Sequence, residues 1–214
     1  MPHLLEKDKI NGVAYRIMMP EDVERVIPVV ARAFCEEDSP IGIFFQDWQN
    51  FTLPYAMRLA VEGNSVLAVD EAYGTILGAF LNEDYFNSVL PEIICSKSSG
   101  GNCVQATFMA NELEEHLNTS YGIPVAAERP RGKIVHFCFL GVGPEGRGRG
   151  IEKKLVEHSI RWAKSKGFTV AFAQCTGALS AHITEANPSK FIDSSFWKGC
   201  DGFSDVGRTL ALWL

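Results

Sequence analysis

The chain has 214 residues, 46% of them hydrophobic, and carries 20 basic against 26 acidic side chains, a formal net charge of −6. This length suits one domain with a sizeable core, and the acidic balance argues against nucleic-acid binding, which needs a basic face. The sequence has no apolar stretch of membrane-spanning length and no signal-peptide core. We therefore expect a cytoplasmic protein that binds neither nucleic acid nor membrane.

The first half of the chain predicts strands and helices after a loosely held N-terminal tail. Pro20 and the acids that follow it mark the start of a helix, and Pro54 is expected to bend or split a later one. The expected elements are the tail at 1–12, a strand at 13–19, a helix from Pro20 to Phe34, a helix at 44–61, and a hairpin of strands at 65–69 and 75–82.

The second half begins with an irregular insertion and then predicts a strand–helix–strand unit. The insertion covers about residues 83–132, with a helix at 107–117. The elements expected after it are strand 134–142, helix 148–166, strand 168–175, a short helix at 179–186, and strands at 191–197 and 208–214.

A glycine-rich turn, Gly143-Pro144-Glu145-Gly146-Arg147-Gly148-Arg149-Gly150, joins strand 134–142 to the following helix. Such a turn directs free backbone N–H groups and the positive end of a helix dipole at one point, and its glycines let a pyrophosphate approach the backbone. A dinucleotide-binding fingerprint would need a glycine where the chain has Lys153, and the Gly-Lys-Ser/Thr of a Walker loop is absent. The turn therefore predicts an anion site of another type.

The run Arg147-Gly148-Arg149-Gly150-Ile151 resembles the acetyl-CoA-binding motif of the GNAT superfamily of N-acetyltransferases, Gln/Arg-x-x-Gly-x-Gly/Ala, with Glu145 in the first position. The order of elements is similar to that family over residues 13–214, and the specific likeness lies in 134–186. The resemblance implies an α/β (α+β) GNAT fold, a mixed central sheet of about seven strands flanked by helices. Strand four, here 134–142, would splay from its neighbour to hold acetyl-CoA. A single domain, 13–214, would contain the insertion.

The same resemblance implies acetyl-CoA as cosubstrate. Main-chain groups of the splayed strand would pair with the pantetheine and the thioester carbonyl, and the amides of Glu145 to Gly150 would hold the pyrophosphate. The expected cofactor-binding residues are Leu140, Gly141, Val142, Glu145, Gly146, Arg147, Gly148, Arg149, Gly150, Ile151, Thr176 and Ser180.

Two segments are similar to insect-type arylalkylamine N-acetyltransferases. Residues 34–41 look like the Phe-Phe-x-Asp-Glu-Pro-Leu segment that carries the proposed general base of that group, although alignment on proline puts a serine at the glutamate position. The base would then be Asp38 or Glu37. Ser180 and Thr184 match the spacing of hydroxyl residues that assist catalysis there, and the common family tyrosine near position 184 is absent.

His136 is a further candidate base, since vertebrate arylalkylamine acetyltransferases carry one of two strand histidines at the matching position; the second falls at Cys138. Strand alternation predicts that His136, Cys138, Leu140 and Val142 share a face and that Phe137 and Phe139 share the other. A strand histidine is either a base or a hydrogen-bonded core residue. Both roles stay open at this point.

These observations favour an acetyl-CoA-dependent N-acetyltransferase acting on a small primary amine, with an arylalkylamine preferred and aromatic residues from Phe44 to Phe51 walling the pocket. A protein or polyamine acceptor is the alternative within the enzyme class. The alternative outside it is a non-catalytic CoA-binding module that keeps the loop and lacks the proton-transfer groups. The six cysteines form no Cys-x-x-Cys pair, so no metal is expected. The chain is expected to be a monomer or homodimer.

Overall fold

The computed structural model describes residues 3–8, 11–36, 52–87, 131–175, 193–196 and 208–214. Within these ranges the chain forms one eight-stranded mixed sheet with helices on both faces, which confirms the predicted fold class. The strands are β1 (Leu4–Asp8), β2 (Val13–Ile17), β3 (Val66–Asp70), β4 (Ile76–Asp84), β5 (Ile134–Val142), β6 (Val170–Cys175), β7 (Asp193–Phe196) and β8 (Arg208–Trp213); the helices are α1 (Val23–Glu36), α2 (Leu53–Glu62) and α3 (Ile151–Lys166).

The spatial order of the strands is β1-β2-β3-β4-β5-β6-β8-β7. Each neighbouring pair is antiparallel except β5 and β6, which run parallel and are joined through α3. A parallel pair needs a crossover connection, and the amphipathic α3 provides it. This confirms the predicted strand–helix–strand unit and places the glycine turn between β5 and α3.

Each face of the sheet has its own core. On one face α3 packs through Ile151 and Leu155 against Val135 and Phe137 of β5. On the other face α1 and α2 cover Leu81 and the remaining inward side chains of β3 and β4. Both faces are buried, so β4 is apolar along most of its length. No helix within the described ranges is both long and apolar enough to cross a membrane.

Pro54 does not bend α2, because the helix begins at Leu53 and the proline falls in its first turn. The N–H groups of a first turn have no acceptor inside the helix, so proline is tolerated there. The prediction was that the proline bends or splits a longer helix: α2 is not bent, and the split stays a prediction because it depends on residues 44–51. Residues 44–51 of the predicted helix, together with the helices predicted at 107–117 and 179–186, lie outside the described residues.

The N-terminal tail predicted at 1–12 is wrong for Leu4–Asp8, which forms β1 and pairs antiparallel with β2. Contacts remote in sequence hold this strand. Glu6 accepts a hydrogen bond from Arg161 of α3 at 2.9 Å and lies 3.7 Å from the amino group of Lys154. The edge strand is thus attached to the helix that packs beneath it.

His158 lies under this attachment and is only 2% exposed. Its ring stacks on Tyr15 with 4.6 Å between centroids. Arg161 Nη2 donates to Nδ1 at 3.0 Å, and Nε2 lies 3.3 Å from Glu6 Oε2. Burial, and then the positive charge of Arg161, lower the pKa of His158 to about 4, so the folded protein holds the neutral ring.

We expect this histidine to make the fold acid-sensitive. An unfolded chain binds a proton there below about pH 6.5, whereas the folded chain binds it only near pH 4. Stability therefore falls as the pH drops through this window, by at most about 3 kcal/mol at its acid end. His158→Phe, which retains a stacking ring, should flatten the pH dependence of the urea unfolding free energy. An equal decline in the variant would contradict this origin.

Candidate active site

The sheet opens between its two parallel strands. β5 and β6 pair only from Ile134 opposite Val170 to Phe137 opposite Ala173. Beyond that point β6 continues in contact with β8, while β5 continues to Val142 beside β4. Among the described strands none pairs with residues 138–142 on their β6 side, so this open edge of β5 offers backbone donors and acceptors to an extended ligand. The predicted splay of this strand is confirmed.

A β-bulge lies where the strands part. Leu81 is opposite Phe139 but Asn82 is opposite Phe137, which leaves Cys138 as an extra residue in β5. A bulge reverses the alternation of side chains beyond it. Phe137 accordingly packs in the core of the α3 face, whereas Phe139 packs in the core of the α1 and α2 face.

The bulge makes the sequence-based assignment of faces wrong. Leu140 and Val142 lie with Phe137 against the α3 face, not with Cys138, which packs against the opposite core. Strict alternation would have placed Leu140 and Val142 beside the histidine. The bulge therefore separates the strand into a segment that carries His136 and an open segment that leads towards the glycine turn.

The glycine turn uses some of its amides to fold itself. Gly146 N donates to Gly143 O at 2.9 Å, and Arg147 N donates to Pro144 O at 3.3 Å. Gly148 and Gly150 have φ values of +71° and +69°, a region that favours glycine. No backbone carbonyl among the described residues accepts from the amides of residues 148–150, which directly precede the N-terminus of α3. Fewer amides are thus available to an anion than the predicted set from Glu145 to Gly150, because those of Gly146 and Arg147 already donate within the turn.

Several of the predicted cofactor-binding residues also stabilise the fold. A Cβ on Gly146 would lie 2.8 Å from Leu77 O, so only glycine fits there. Ile151 is fully buried in the core. Arg149 donates to the carbonyl of Asn11 at 2.6 Å and to that of Glu145 at 3.4 Å, which fastens the turn to the β1–β2 connection. Contact of these residues with a ligand stays a prediction.

A buried polar network lies on the α1 and α2 side of the open edge, centred on Glu83 of β4. Glu83 is 0% exposed and stands opposite His136 in the β4–β5 register. Its Oε1 is 2.9 Å from His136 Nδ1. Its Oε2 accepts from Arg58 Nη2 at 2.5 Å and from the Tyr55 hydroxyl at 3.1 Å. Both carboxylate oxygens therefore have partners, one on β5 and two on α2.

Arg58 connects this carboxylate to a second one. Its Nη1 is 2.6 Å from Glu62 Oε1 and donates to Asn87 O at 2.9 Å. Burial raises the pKa of Glu62, against the opposing effects of a hydrogen bond from the Asp84 amide and the charge of Arg58. With both carboxyl groups ionised, Glu62, Glu83 and Arg58 carry one net negative charge beside the imidazole.

His136 lies at the point where β5 and β6 begin to part. Its ring is 4% exposed and stacks on Phe172 of β6, with 4.4 Å between centroids and 7° between planes. Phe172 is also its register partner. Nδ1 faces Glu83, whereas Nε2 forms no hydrogen bond with a residue in the described part of the chain. The imidazole is thus fixed on one side and has one nitrogen available.

Cys138 does not have the arrangement of a nucleophile. Its Sγ is 3.4 Å from His136 Nδ1, the nitrogen that already faces Glu83. Burial, and then the negative charge of Glu83, raise the pKa of this thiol well above its usual value, and a protonated thiol is a poor nucleophile. The geometry therefore favours direct transfer between two substrates over a thioester on Cys138.

The same three side chains could also be considered as metal ligands. Donor atoms of Glu83, His136 and Cys138 lie within 4.8 Å of one another. Arg58 already neutralises the Glu83 carboxylate, and its positive charge would repel a metal ion. A metal would also need Cys138 as a thiolate, whereas this thiol keeps its proton. A network of hydrogen bonds accounts better for this donor set, and the predicted absence of a metal stays a prediction.

Of the predicted catalytic residues, the structure describes His136 alone; Glu37, Asp38, Ser180 and Thr184, with the cofactor candidate Thr176, lie outside the described residues. Sequence reasoning missed Glu83 because the predicted strand ended at residue 82, and acidic residues are seldom fully buried. The signal was available: extending that strand by one residue brings a carboxylate into β4. Tyr55 and Arg58, on α2, gave no comparable signal.

The open edge of β5 and the glycine turn at the N-terminus of α3 together offer backbone groups to an extended, anionic ligand. Residues 102–182 match the Acetyltransferase (GNAT) family. This match covers less than half of the chain, includes the glycine turn and α3, and agrees with the resemblance to the GNAT superfamily that the sequence predicted.

Solved structures of insect enzymes share this fold over nearly the whole chain. The mosquito arylalkylamine N-acetyltransferase like 5b is 16% identical, with 94% of this chain and 100% of that chain covered and a TM-score of 0.67. Arylalkylamine N-acetyltransferase 2 from Aedes aegypti is 15% identical, with 95% of this chain and 99% of that chain covered and a TM-score of 0.69. The Drosophila melanogaster polyamine N-acetyltransferase, which forms N-acetylagmatine, is 16% identical, with 94% of this chain and 100% of that chain covered and a TM-score of 0.67. A comparison with curated protein sequences found no match.

Proposed function

We propose that this protein transfers the acetyl group of acetyl-CoA to a small primary amine, with an arylalkylamine as the preferred acceptor. The observation that carries the proposal is the open edge of β5, which leads from the glycine turn to His136. The six residue-to-residue steps of extended chain from Phe137 to Gly143 span about 20 Å. An extended thioester held by its phosphates at the turn would bring its reactive end towards the histidine.

The free amides before α3 would bind the pyrophosphate, aided by the positive end of the helix dipole. The backbone of residues 138–142 would pair with the amide groups of the pantetheine. His136 Nε2 would then accept a proton from the substrate ammonium, directly or through a water molecule. The neutral amine nitrogen forms its bond to the acetyl carbonyl carbon, the carbon–sulfur bond breaks, and the thiolate of CoA takes up a proton.

Aromatic rings on the α1 and α2 side of β5 support an aromatic acceptor. The ring of Phe139 packs edge-to-face with that of Phe34 on α1, with 5.7 Å between centroids. It packs in the same way with that of Tyr55 on α2, with 6.2 Å between centroids. Phe34 is half-buried and opens the segment that is similar to insect arylalkylamine N-acetyltransferases. The aromatic wall predicted from Phe44 to Phe51 lies outside the described residues.

The test is release of CoA thiol from acetyl-CoA in the presence of tryptamine, agmatine or a short peptide. We expect turnover with all competent amines to rise with pH, and tryptamine to give the highest kcat/KM. A preference of about tenfold or more for agmatine or the peptide, equivalent to 1.4 kcal/mol, would overturn the arylalkylamine assignment and leave acetyl transfer in place. Acetyl-CoA binding without turnover on any amine would instead indicate a non-catalytic module.

A further inference from the structure

We propose that Glu83 is a positioning residue that holds His136 in the tautomer with its proton on Nδ1, so that Nε2 is the nitrogen that accepts the substrate proton. The inference rests on the proposed function for its catalytic consequence. The geometric basis of the inference does not depend on the proposed function. The fully buried carboxylate of Glu83, on the adjacent strand β4, lies 2.9 Å from the imidazole of His136.

The partners of Glu83 define its ionisation state and hence the direction of its hydrogen bond to His136. Arg58 donates to Oε2 and has no acceptor capacity. The Tyr55 hydroxyl also lies within hydrogen-bonding distance of this oxygen. A carboxylate held by a guanidinium is an acceptor. The Oε1–Nδ1 contact therefore places the proton on Nδ1, and a neutral imidazole then has its lone pair on Nε2.

The charged and titratable groups around His136 lie on β4, β5 and α2. Glu83 on β4 and Cys138 on β5 contact the ring. On α2, Tyr55 and Arg58 contact Glu83, and Glu62 contacts Arg58. On the β6 side, the imidazole of His136 contacts the uncharged ring of Phe172. Cys138 and Tyr55 are neutral because burial is the main cause that raises the pKa of each. Among the described residues, Glu83 is therefore the charged group in direct contact with the imidazole.

The network also fixes the geometry of the pair. Arg58 is itself held by Glu62 and by the carbonyl of Asn87, so Glu83 cannot rotate without breaking contacts to α2. Phe172 restricts the imidazole from the other side. A base needs this restriction, since rotation of either group would displace Nε2 from a fixed position.

Glu83→Gln provides the test, because glutamine keeps the shape and reverses one hydrogen bond. Its carbonyl would turn to Arg58 and Tyr55, so that its NH₂ group would face His136 Nδ1. That nitrogen must then accept, and the proton moves to Nε2. Glu62→Gln is the matched control, since Glu62 contacts the same arginine but not the histidine.

The primary readout is ¹⁵N-histidine NMR, with the His136 signals assigned by their loss in His136→Gln. We expect the Nδ1–H tautomer in the wild type and in Glu62→Gln, and the Nε2–H tautomer in Glu83→Gln. An Nε2–H tautomer in the wild type overturns the proposal, and this measurement does not depend on the folding of any variant. An unchanged Nδ1–H tautomer in a folded Glu83→Gln protein also overturns it.

Steady-state kinetics separate this proposal from the proposed function. If His136 is the base, Glu83→Gln should lower kcat by about a hundredfold or more, leave the KM for acetyl-CoA unchanged, and move the midpoint of the pH–rate profile to lower pH. Glu62→Gln should move this midpoint less than Glu83→Gln does, because Glu62 contacts Arg58 and not the imidazole. A tautomer switch without a change in kcat would support the positioning by Glu83 and refute His136 as the base.

Discussion

Replacement of His136 by glutamine is expected to lower kcat for amine acetylation by about a hundredfold or more, the usual contribution of a positioned general base. Glutamine has a similar volume and can still donate to Glu83, so the buried network keeps its hydrogen bonds. It cannot accept a proton near neutral pH. The affinity for acetyl-CoA should stay unchanged, because the predicted phosphate site lies at the far end of β5.

The matched control is His158→Gln, which removes the other buried histidine of the described structure. It lies on α3, against the opposite face of the sheet, and should lose stability but retain the wild-type kcat. Stopped thiol-release assays across pH, at saturating acetyl-CoA, measure both variants. Wild-type rates in His136→Gln, with large losses in Asp38→Asn or Glu37→Gln, would move the base to the segment after α1.

The parts of this site that depend on local sequence could be predicted. β5 and α3 were expected from a short apolar run and from a periodic amphipathic pattern, and the structure has both. The turn between them was recognisable because its glycines at positive φ are a local requirement. These signals need no knowledge of the partner strands.

The parts that depend on strand pairing could not be predicted in the same way. β1 is rich in charged residues, and its strand conformation follows from pairing with β2 and from contacts of Glu6 with α3. The bulge at Cys138 exists only as a mismatch between β4 and β5. Strict alternation consequently assigned Leu140 and Val142 to the wrong face, and the burial of Glu83 beside His136 stayed hidden.

The pyrophosphate site is expected to fail when Gly148 is replaced by valine. Gly148 has a φ of +71°, and a β-branched residue is a strong outlier in that region. The turn should therefore leave its present conformation, and the amides before α3 would no longer converge. Loss of even one hydrogen bond to a phosphate costs about 1.5–3 kcal/mol, so the Kd for acetyl-CoA should rise by about tenfold or more.

Gly167→Val separates this loss from simple instability, because Gly167 ends the same helix. It too has a positive φ, +87°, and for both glycines a Cβ would meet no atom within 4 Å. The two substitutions should therefore impose similar backbone strain, roughly 1–2 kcal/mol, and similar shifts in Tm. Only Gly148→Val changes the end of α3 that faces the open edge of β5. Calorimetric titration of both variants with acetyl-CoA decides the matter: equal Kd values would place the pyrophosphate elsewhere, whereas weak binding by Gly148→Val alone would assign it to the turn.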